Sequence, residues 1–196
     1  MQEREEENIS NISLVLKKHN LVNIKELYPK IRVDLKYASE DNFTGEIVYD
    51  FSECYLLLDA ANALIEVQKD LELLGLSLKI WDAYRPMCAQ EKFWSIFPDE
   101  RYVSHPQKGG RHTRGTAVDL TLCSEEGFEL EMPSPFDEFS SRAHRNNLEC
   151  SFQALQNRNL LEDYMQKHGF LGLSTEWWHF DLENWESFPV IESLLT

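Results

Sequence analysis

Two short segments carry side chains whose types and spacing fit metal chemistry. In residues 110–119, His112 lies in a turn-like stretch between glycines, and Asp119 follows seven residues later inside a predicted strand. Aspartate is a poor strand residue. Its neighbours Val118 and Leu120 point towards a core, so Asp119 projects from the opposite face. A buried carboxylate needs a partner because an unpaired buried charge is very costly, and a metal ion is one such partner.

The second segment, residues 176–181, places charged groups in an aromatic-rich strand. His179 shares a strand face with Trp177 and Asp181. Glu176 would face away from His179 in a regular strand, so we expect the backbone to turn or bulge just after Glu176. The two tryptophans between the carboxylate and the imidazole predict a rigid apolar surface that excludes water. Such surroundings raise the pKa of a carboxylate.

Taken together, these residues predict a catalytic metal site. His112, Asp119 and His179 supply two nitrogens and one oxygen, the kind of three-ligand set with which catalytic zinc keeps its fourth position open for water. Glu176 is then a carboxylate that can take a proton from that water. Arg85, where a predicted strand ends and a helix begins, can stabilise a developing oxyanion.

Each fragment also has a plain structural explanation. A lone strand histidine is commonly a satisfied core residue, a strand aspartate can cap a neighbouring loop, and an Arg-Pro step can be an ordinary turn. The hydrolase hypothesis therefore depends on the fold bringing the fragments together.

Hydrophobic periodicity predicts the elements that must do this. Alternation of apolar and polar residues predicts strands, and apolar residues every three or four positions predict helices. Pro86 stands at a first helical position, and Gly75 and Gly169 stand where helices end. The predicted strands are 31–37, 76–84, 116–122 and 176–182, and the predicted helices are 59–74, 87–97 and 152–168.

This order of elements lacks a regular βαβ rhythm, which favours the α+β class. We expect one domain over residues 9–196, with a central, mainly antiparallel sheet flanked by helices. Residues 1–8 are expected to form a disordered acidic tail. Residues 124–150 are predicted to be a long irregular loop, and loops of that length are often functional or mobile.

Composition excludes several classes of protein. The chain has 196 residues, of which 42% are hydrophobic and 12% aromatic, enough for one core and too apolar for a disordered chain. A net charge of −15 disfavours nucleic-acid binding, because an acidic surface repels phosphates. No apolar run approaches the roughly 18 residues of a membrane span.

Four cysteines without a CxxC pair show no motif of a thiolate zinc site or a redox centre, and they favour a reducing compartment. The N-terminus has no apolar stretch typical of a secretory signal. The expected location is therefore the cytoplasm, or the periplasm where a leader precedes residue 1.

The chain also resembles a known family, the D-alanyl-D-alanine dipeptidases of the VanX type, zinc peptidases grouped with D-Ala-D-Ala carboxypeptidases and lysostaphin-like enzymes. The resemblance covers roughly residues 28–182, with further likeness at 34–38, 42–45, 135–137 and 168–170. The family has the pattern SxHxxGxAxD, and residues 110–119 of this chain read GxHxxGxAxD. The family pattern ExWH occurs as EWWH at residues 176–179, and the family's arginine motif occurs as DAYRP at residues 82–86.

The resemblance implies a hedgehog and D-Ala-D-Ala peptidase-like fold that binds one zinc ion per chain through His112, Asp119 and His179. It implies that Glu176 is the general base, which later passes its proton to the leaving amine. Arg85 is implied to hold the oxyanion of the tetrahedral intermediate.

The resemblance also implies a substrate pocket near Tyr37 and Asp137, in which Asp137 pairs with the free ammonium of a small dipeptide. The chain departs from the family pattern at Gly110, where the pattern has serine. No metal ligand or base is lost there, so we expect the departure to affect substrate preference rather than the chemistry.

Three alternatives remain at this point. A carboxypeptidase or endopeptidase acting on longer peptidoglycan stems would favour an open groove, whereas a dipeptidase would favour a closed pocket. A non-catalytic zinc-binding module of the same fold need not keep Glu176 and Arg85, and both are present. A serine or cysteine hydrolase is disfavoured because the chain has no G-x-S-x-G motif, and the absence of HExxH excludes a thermolysin-like enzyme.

Overall fold

A central five-stranded sheet organises the fold in a computed structural model that describes residues 16–191. The predicted disordered tail at residues 1–8 lies outside the described residues. The strands are β1 (Leu21–Asn23), β2 (Arg32–Val33), β3 (Tyr55–Leu57), β4 (Leu76–Asp82), β5 (Ala117–Ser124), β6 (Phe170–Gly172) and β7 (His179–Leu182). The helices described with both ends are α1 (Ile24–Leu27), α2 (Leu58–Glu72), α3 (Met87–Ile96) and α4 (Phe152–Lys167).

The sheet has the strand order β2–β4–β5–β7–β6. Only the pair β2 and β4 is parallel, and the other neighbours are antiparallel. Strands β1 and β3 form a separate antiparallel pair. The α+β class with a mainly antiparallel sheet is therefore confirmed.

The helices α2 and α4 pack together on one face of this sheet, where α2 contacts β4 and α4 contacts β5 and β6. That face is apolar because side chains alternate along each strand. Burying each such side chain contributes roughly 1.5–3 kcal/mol. The fully buried strand residues on it are Leu78, Ile80, Val118, Leu120, Leu122 and Phe180.

The long helices form where the apolar stripes predict them. Helix α2 spans Leu58–Glu72, and Gly75 follows it with a φ of +71°, a conformation that suits glycine after a helix. Helix α4 begins after Ser151, whose hydroxyl accepts a hydrogen bond from the Ala154 amide at 3.0 Å. Helix α3 matches its prediction except that Pro86 is the residue before the helix and not its first residue.

Three predicted strands are shorter than the sequence indicates, and the one at 76–84 ends at Asp82. The strand at 31–37 is wrong beyond Val33: pairing with β4 covers only Arg32 and Val33, and Lys36–Ala38 form a 3₁₀ helix. This tighter turn carries the Tyr37 ring inward, 4.5 Å from the Phe93 ring centroid. Strand β7 begins at His179, and Glu176 lies in the preceding turn, so the expected break after Glu176 is present.

The loop between β5 and α4 covers the second face of the sheet. Phe136 packs against Trp81 and Trp178, with ring centroids 5.0 and 5.5 Å apart. The Trp177 indole donates a hydrogen bond to the Ser134 hydroxyl at 3.0 Å. The predicted irregular segment is thus an ordered wall of the site described below. Within residues 16–191, no helix combines the length and apolar character needed to cross a membrane.

Candidate active site

The sheet register brings together two of the three predicted metal ligands. Asp119 on β5 is the direct cross-strand partner of His179 on β7. His112 reaches them from a 3₁₀ helix, His112–Arg114, that precedes β5. Gly115 ends this helix with a φ of +69°, and a Cβ there would lie 2.8 Å from Leu21 Cδ2. Glycine is therefore required at the turn that returns the chain to the sheet.

The three side chains point donor atoms at one another. The distances are 3.2 Å from His112 Nε2 to His179 Nδ1, 2.9 Å from His179 Nδ1 to Asp119 Oδ1, and 3.3 Å from His112 Nε2 to Asp119 Oδ2. Zinc bonds of 2.0–2.1 Å in tetrahedral geometry separate neighbouring ligand atoms by about 3.3 Å. All three residues are buried, so the donor set fits a zinc ion in both spacing and chemistry.

The outer nitrogen of each imidazole has its own hydrogen-bond acceptor. His112 Nδ1 donates to the Ala83 carbonyl at 2.7 Å, and His179 Nε2 donates to Asp181 Oδ1 at 2.8 Å. When each imidazole is neutral, these bonds leave a lone pair on His112 Nε2 and on His179 Nδ1, the two nitrogens that face each other. Outer contacts of this kind fix the tautomer and the ring orientation of metal-binding histidines.

The electrostatics of the site favour a bound cation. Burial raises the pKa of Asp119, but the two imidazoles lower it below its usual range, so the carboxylate stays ionised. Burial lowers the pKa of His179, yet Asp181 and Asp119 raise it to about 10. A zinc ion bound by these residues would take the place of the proton that the carboxylates otherwise hold on this imidazole.

Glu176 lies beside the ligand set without joining it. Its Oε2 atom is 3.8 Å from His179 Nδ1, and the residue is only 6% exposed. Burial raises the pKa of Glu176 to about 8. The turn that carries it is anchored because the Trp177 amide donates to the Ala143 carbonyl at 2.9 Å. The site thus contains a buried carboxylate suited to accept and return a proton.

Arg85 faces the metal ligands from the end of β4. Its Nη2 atom is 3.9 Å from Asp119 Oδ2. Three hydrogen bonds hold the guanidinium: Nε and Nη2 donate to Asp82 Oδ2 at 3.1 and 2.7 Å, and Nη1 donates to Gln90 Oε1 at 3.0 Å. The Phe93 ring lies beneath it, 4.8 Å from the guanidinium carbon. A cation held this rigidly is suited to stabilise an oxyanion.

Asp82 reaches the site through a β-bulge. The register between β4 and β5 shifts after Ile80, so that Asp82 and not Trp81 stands opposite Asp119. A bulge of this kind re-aims a side chain. It places Asp82, Asp119 and His179 in a row across β4, β5 and β7. Asp82 also accepts a hydrogen bond from the Tyr49 hydroxyl at 2.6 Å.

Tyr37 and Asp137 form the far wall of the same cavity. The Tyr37 hydroxyl lies 3.0 and 3.1 Å from the two Asp137 oxygens and donates to this carboxylate. Burial raises the pKa of Asp137 well above its usual range. Asp137 has a φ of +56°, a conformation uncommon outside glycine. The surrounding loop therefore holds a strained backbone that turns this carboxylate inward.

One cavity of about 310 Å³ is lined by all seven residues that the sequence singled out. Sequence reasoning assigned no role to Asp82, Gln90 or Asp181, the three residues that hold Arg85 and His179 in place. The signal for Asp181 was available, since alternation puts it on the same strand face as His179. No sequence signal marks Gln90, which acts from α3.

A family model described as D-Ala-D-Ala dipeptidase, of the peptidase M15 group, matches residues 17–187. A D-alanyl-D-alanine dipeptidase from Escherichia coli is 42% identical over 171 residues, which cover 87% of this chain and 89% of that protein. A D-alanyl-D-alanine dipeptidase from Enterococcus faecalis is 33% identical over 187 residues, which cover 85% of this chain and 92% of that protein.

A solved structure shares the fold. An LD-carboxypeptidase, LdcB, superposes with a TM-score of 0.50 at 18% sequence identity, covering 84% of this chain and 69% of that one. At this identity the likeness concerns the fold alone.

Proposed function

The chain belongs to the D-Ala-D-Ala dipeptidase family of the M15 peptidases, and from this membership we propose that it hydrolyses D-Ala-D-Ala, or a closely related D,D-dipeptide, at a zinc centre. The observation that carries the proposal is the convergence of His112, Asp119 and His179 with the carboxylate of Glu176 beside them. Zinc in this site supplies a Lewis acid that polarises the scissile carbonyl and lowers the pKa of a water molecule.

The protein's own residues move the protons. Glu176 takes one proton from the attacking water and delivers it to the nitrogen of the leaving amino acid as the C–N bond breaks. Trp178, which is 1% exposed, lines the same cavity as this carboxylate.

Arg85 stabilises the negative charge that develops on the carbonyl oxygen. Its hydrogen bonds to Asp82 and Gln90 hold the guanidinium before the substrate arrives. A donor that is already oriented costs no reorganisation when the charge forms, which is the main source of such stabilisation.

Asp137 binds the ammonium group of the dipeptide, and the Tyr37 hydroxyl orients its carboxylate. A cavity of about 310 Å³ is at the small end of the range for ligand sites. Both features support a short substrate with a free amine over a long peptidoglycan stem. The four free cysteines support action in a reducing compartment.

The test measures alanine release from D-Ala-D-Ala by the purified protein, before and after zinc removal by a chelator and after zinc is restored. We expect hydrolysis that chelation abolishes and zinc recovers. L-Ala-L-Ala controls for stereochemistry, and N-acetyl-D-Ala-D-Ala controls for the free ammonium. Zinc-loaded protein that leaves D-Ala-D-Ala intact, or that prefers the acetylated substrate, would contradict the proposal.

A further inference from the structure

Arg111 is a cation in the catalytic cavity that the mechanism above does not use. It directly precedes the ligand His112 and lines the cavity. Its Nε atom is 3.1 Å from Asp181 Oδ2, and the Trp185 ring packs against its guanidinium at 5.1 Å. The side chain remains 30% exposed. Arg111 is thus held at one edge and open to the cavity at the other.

The terminal nitrogens of Arg111 have no hydrogen-bond acceptor within residues 16–191. Other cations that line the cavity already have partners, and Arg114 donates a hydrogen bond to the Phe188 carbonyl. Arg85 donates three hydrogen bonds to Asp82 and Gln90. Lys108 pairs with Glu100 at 2.8 Å, and Arg101 pairs with Asp99. The guanidinium of Arg111 is therefore the group best placed to accept an anionic partner.

The proposed substrate brings such an anion. A dipeptide at neutral pH carries an ammonium at one end and a carboxylate at the other, so a small cavity that binds it needs a partner for each. Asp137 serves the ammonium, and Arg85 serves the oxyanion between the two ends. Nothing assigned so far serves the carboxylate.

Position 110 offers no side chain for this task. A Cβ on Gly110 would lie 3.3 Å from Gln90 Oε1 and 3.7 Å from Thr113 Oγ1, so Gln90 already fills the space beside it. The neighbouring Arg111 supplies a planar fork of donors, and such a fork binds a carboxylate in two parallel hydrogen bonds.

We propose that Arg111 binds the C-terminal carboxylate of the dipeptide and so selects substrates that end at the second residue. The inference rests on the proposed function. It assigns the direction of the substrate, with its amino end at Asp137 and its carboxyl end at Arg111. The ion pair with Asp181 holds the guanidinium in place, as Asp82 does for Arg85.

The contact with Asp181 also suggests a competing role. Because Asp181 accepts the hydrogen bond from His179, Arg111 could act only by positioning that metal ligand. The two roles differ in what they do to a substrate without a carboxylate. A positioning residue affects every substrate alike, whereas a carboxylate-binding residue affects only substrates that carry one.

The experiment compares kcat/KM for D-Ala-D-Ala and for D-Ala-D-alaninamide, in which the carboxylate is replaced by a neutral amide. The proteins are the zinc-loaded wild type, Arg111→Gln and Arg111→Lys. We expect Arg111→Gln to lose roughly 10- to 100-fold on D-Ala-D-Ala, the size of a hydrogen bond to a charged group, and little on the amide. Arg111→Lys should keep part of the preference, because it keeps the charge and loses the fork.

Lys108→Gln is the matched control, since it removes one positive charge at the cavity mouth from a side chain already paired with Glu100. It should leave the preference for the carboxylate unchanged. Equal losses on both substrates in Arg111→Gln, or equal effects of Lys108→Gln and Arg111→Gln, would overturn the inference. If Arg111→Gln fails to fold or to bind zinc, Arg111→Lys provides the test. Its kcat/KM for D-Ala-D-Ala is divided by its kcat/KM for D-Ala-D-alaninamide, and a ratio equal to that of the wild type would overturn the inference. Failure of the proposed function is separate, because the wild type would then cleave neither substrate.

Discussion

Two groups of residues meet in the cavity, and the fold positions them by different means. The metal group consists of His112, Asp119 and His179, and the recognition group consists of Tyr37, Asp137 and Arg111. Two members of the metal group are cross-strand partners in adjacent strands, and its outer hydrogen bonds go to Ala83 and to Asp181. The recognition group lies on a 3₁₀ helix and on loops.

This difference separates chemistry from specificity. Sheet register cannot change by one residue without turning every side chain to the other face, so the distance between Asp119 and His179 is tied to the core. Loop positions depend on local packing, as the positive φ of Asp137 shows. We therefore expect changes in the metal group to abolish the reaction, and changes in the recognition group to alter which substrates are used.

The largest effect is expected in the metal group. His179→Ala removes one of three ligands, so it should abolish stoichiometric zinc binding at micromolar metal and all hydrolysis. Metal analysis after gel filtration measures this. His168→Ala is the control, since His168 contacts Asp70 far from the site, and it should keep one zinc per chain. Full zinc occupancy in His179→Ala would remove His179 from the ligand set.

Glu176→Gln should separate binding from catalysis. It retains the shape of the side chain and the zinc but cannot accept a proton, so kcat should fall by roughly 10²–10⁴. The exposed Glu183, just after β7, provides the control variant Glu183→Gln, which should behave as the wild type. Near-normal turnover by Glu176→Gln would exclude Glu176 as the general base.

Arg85→Ala is expected to lower kcat by roughly 10²–10³, the usual loss when one oxyanion donor is removed. Asp82→Asn should produce a smaller loss in the same direction, because it weakens the bonds that hold the guanidinium. Steady-state kinetics measures kcat and KM separately. A change in KM alone would reassign Arg85 to substrate binding.

Asp137→Asn tests the recognition group. The amide has the same shape without the charge, so we expect KM for D-Ala-D-Ala to rise roughly 10- to 100-fold with zinc content unchanged and kcat only slightly reduced. Tyr37→Phe should have a smaller effect, since the Tyr37 hydroxyl only orients the carboxylate. If Asp137→Asn lost zinc or lost kcat at unchanged KM, the two groups would not be separable in this way.

The smallest effect concerns a contact outside both groups. Lys167 and His168, at the end of α4, donate hydrogen bonds to Asp70 on α2 at 2.6 Å each, and the bond from Lys167 contributes most to lowering the pKa of Asp70. The folded state therefore favours the ionised carboxylate. This stabilisation is present above the unfolded pKa of about 3.9 and is lost as the pH falls through the lower folded value.

Urea unfolding of the wild type and Asp70→Asn from pH 7 to pH 3 measures this contribution. The difference in the free energy of unfolding should be constant above about pH 5 and shrink below about pH 4. A difference that stays the same at pH 3 would show that ionisation of Asp70 is not its source.

The same contrast explains how much of the site could be predicted from the sequence. Asp119 and His179 were predictable because alternation along a strand fixes the face of each side chain, and the break after Glu176 followed from the same pattern. Asp82 was not predictable, because its position depends on a bulge after Ile80 that no local pattern marks.

Tyr37 and Asp137 are 100 residues apart, and the hydrogen bonds between them depend on how two irregular segments pack. Periodicity says nothing about such packing, so only the resemblance to a family pointed to them. The predicted strand over 31–37 was wrong for a related reason. Alternation continues past Val33 in the sequence, but the chain leaves the sheet there, and Tyr37 is buried from a 3₁₀ helix instead.

The most direct test of this account is a crystal structure of the zinc-loaded protein with a phosphinate analogue of D-Ala-D-Ala, which mimics the tetrahedral transition state. Anomalous scattering at the zinc edge locates the metal. We predict one zinc ion between His112, Asp119 and His179, with a phosphinate oxygen at Arg85 and the ammonium at Asp137. A metal bound elsewhere, or an analogue with its ammonium away from Asp137, would contradict the account.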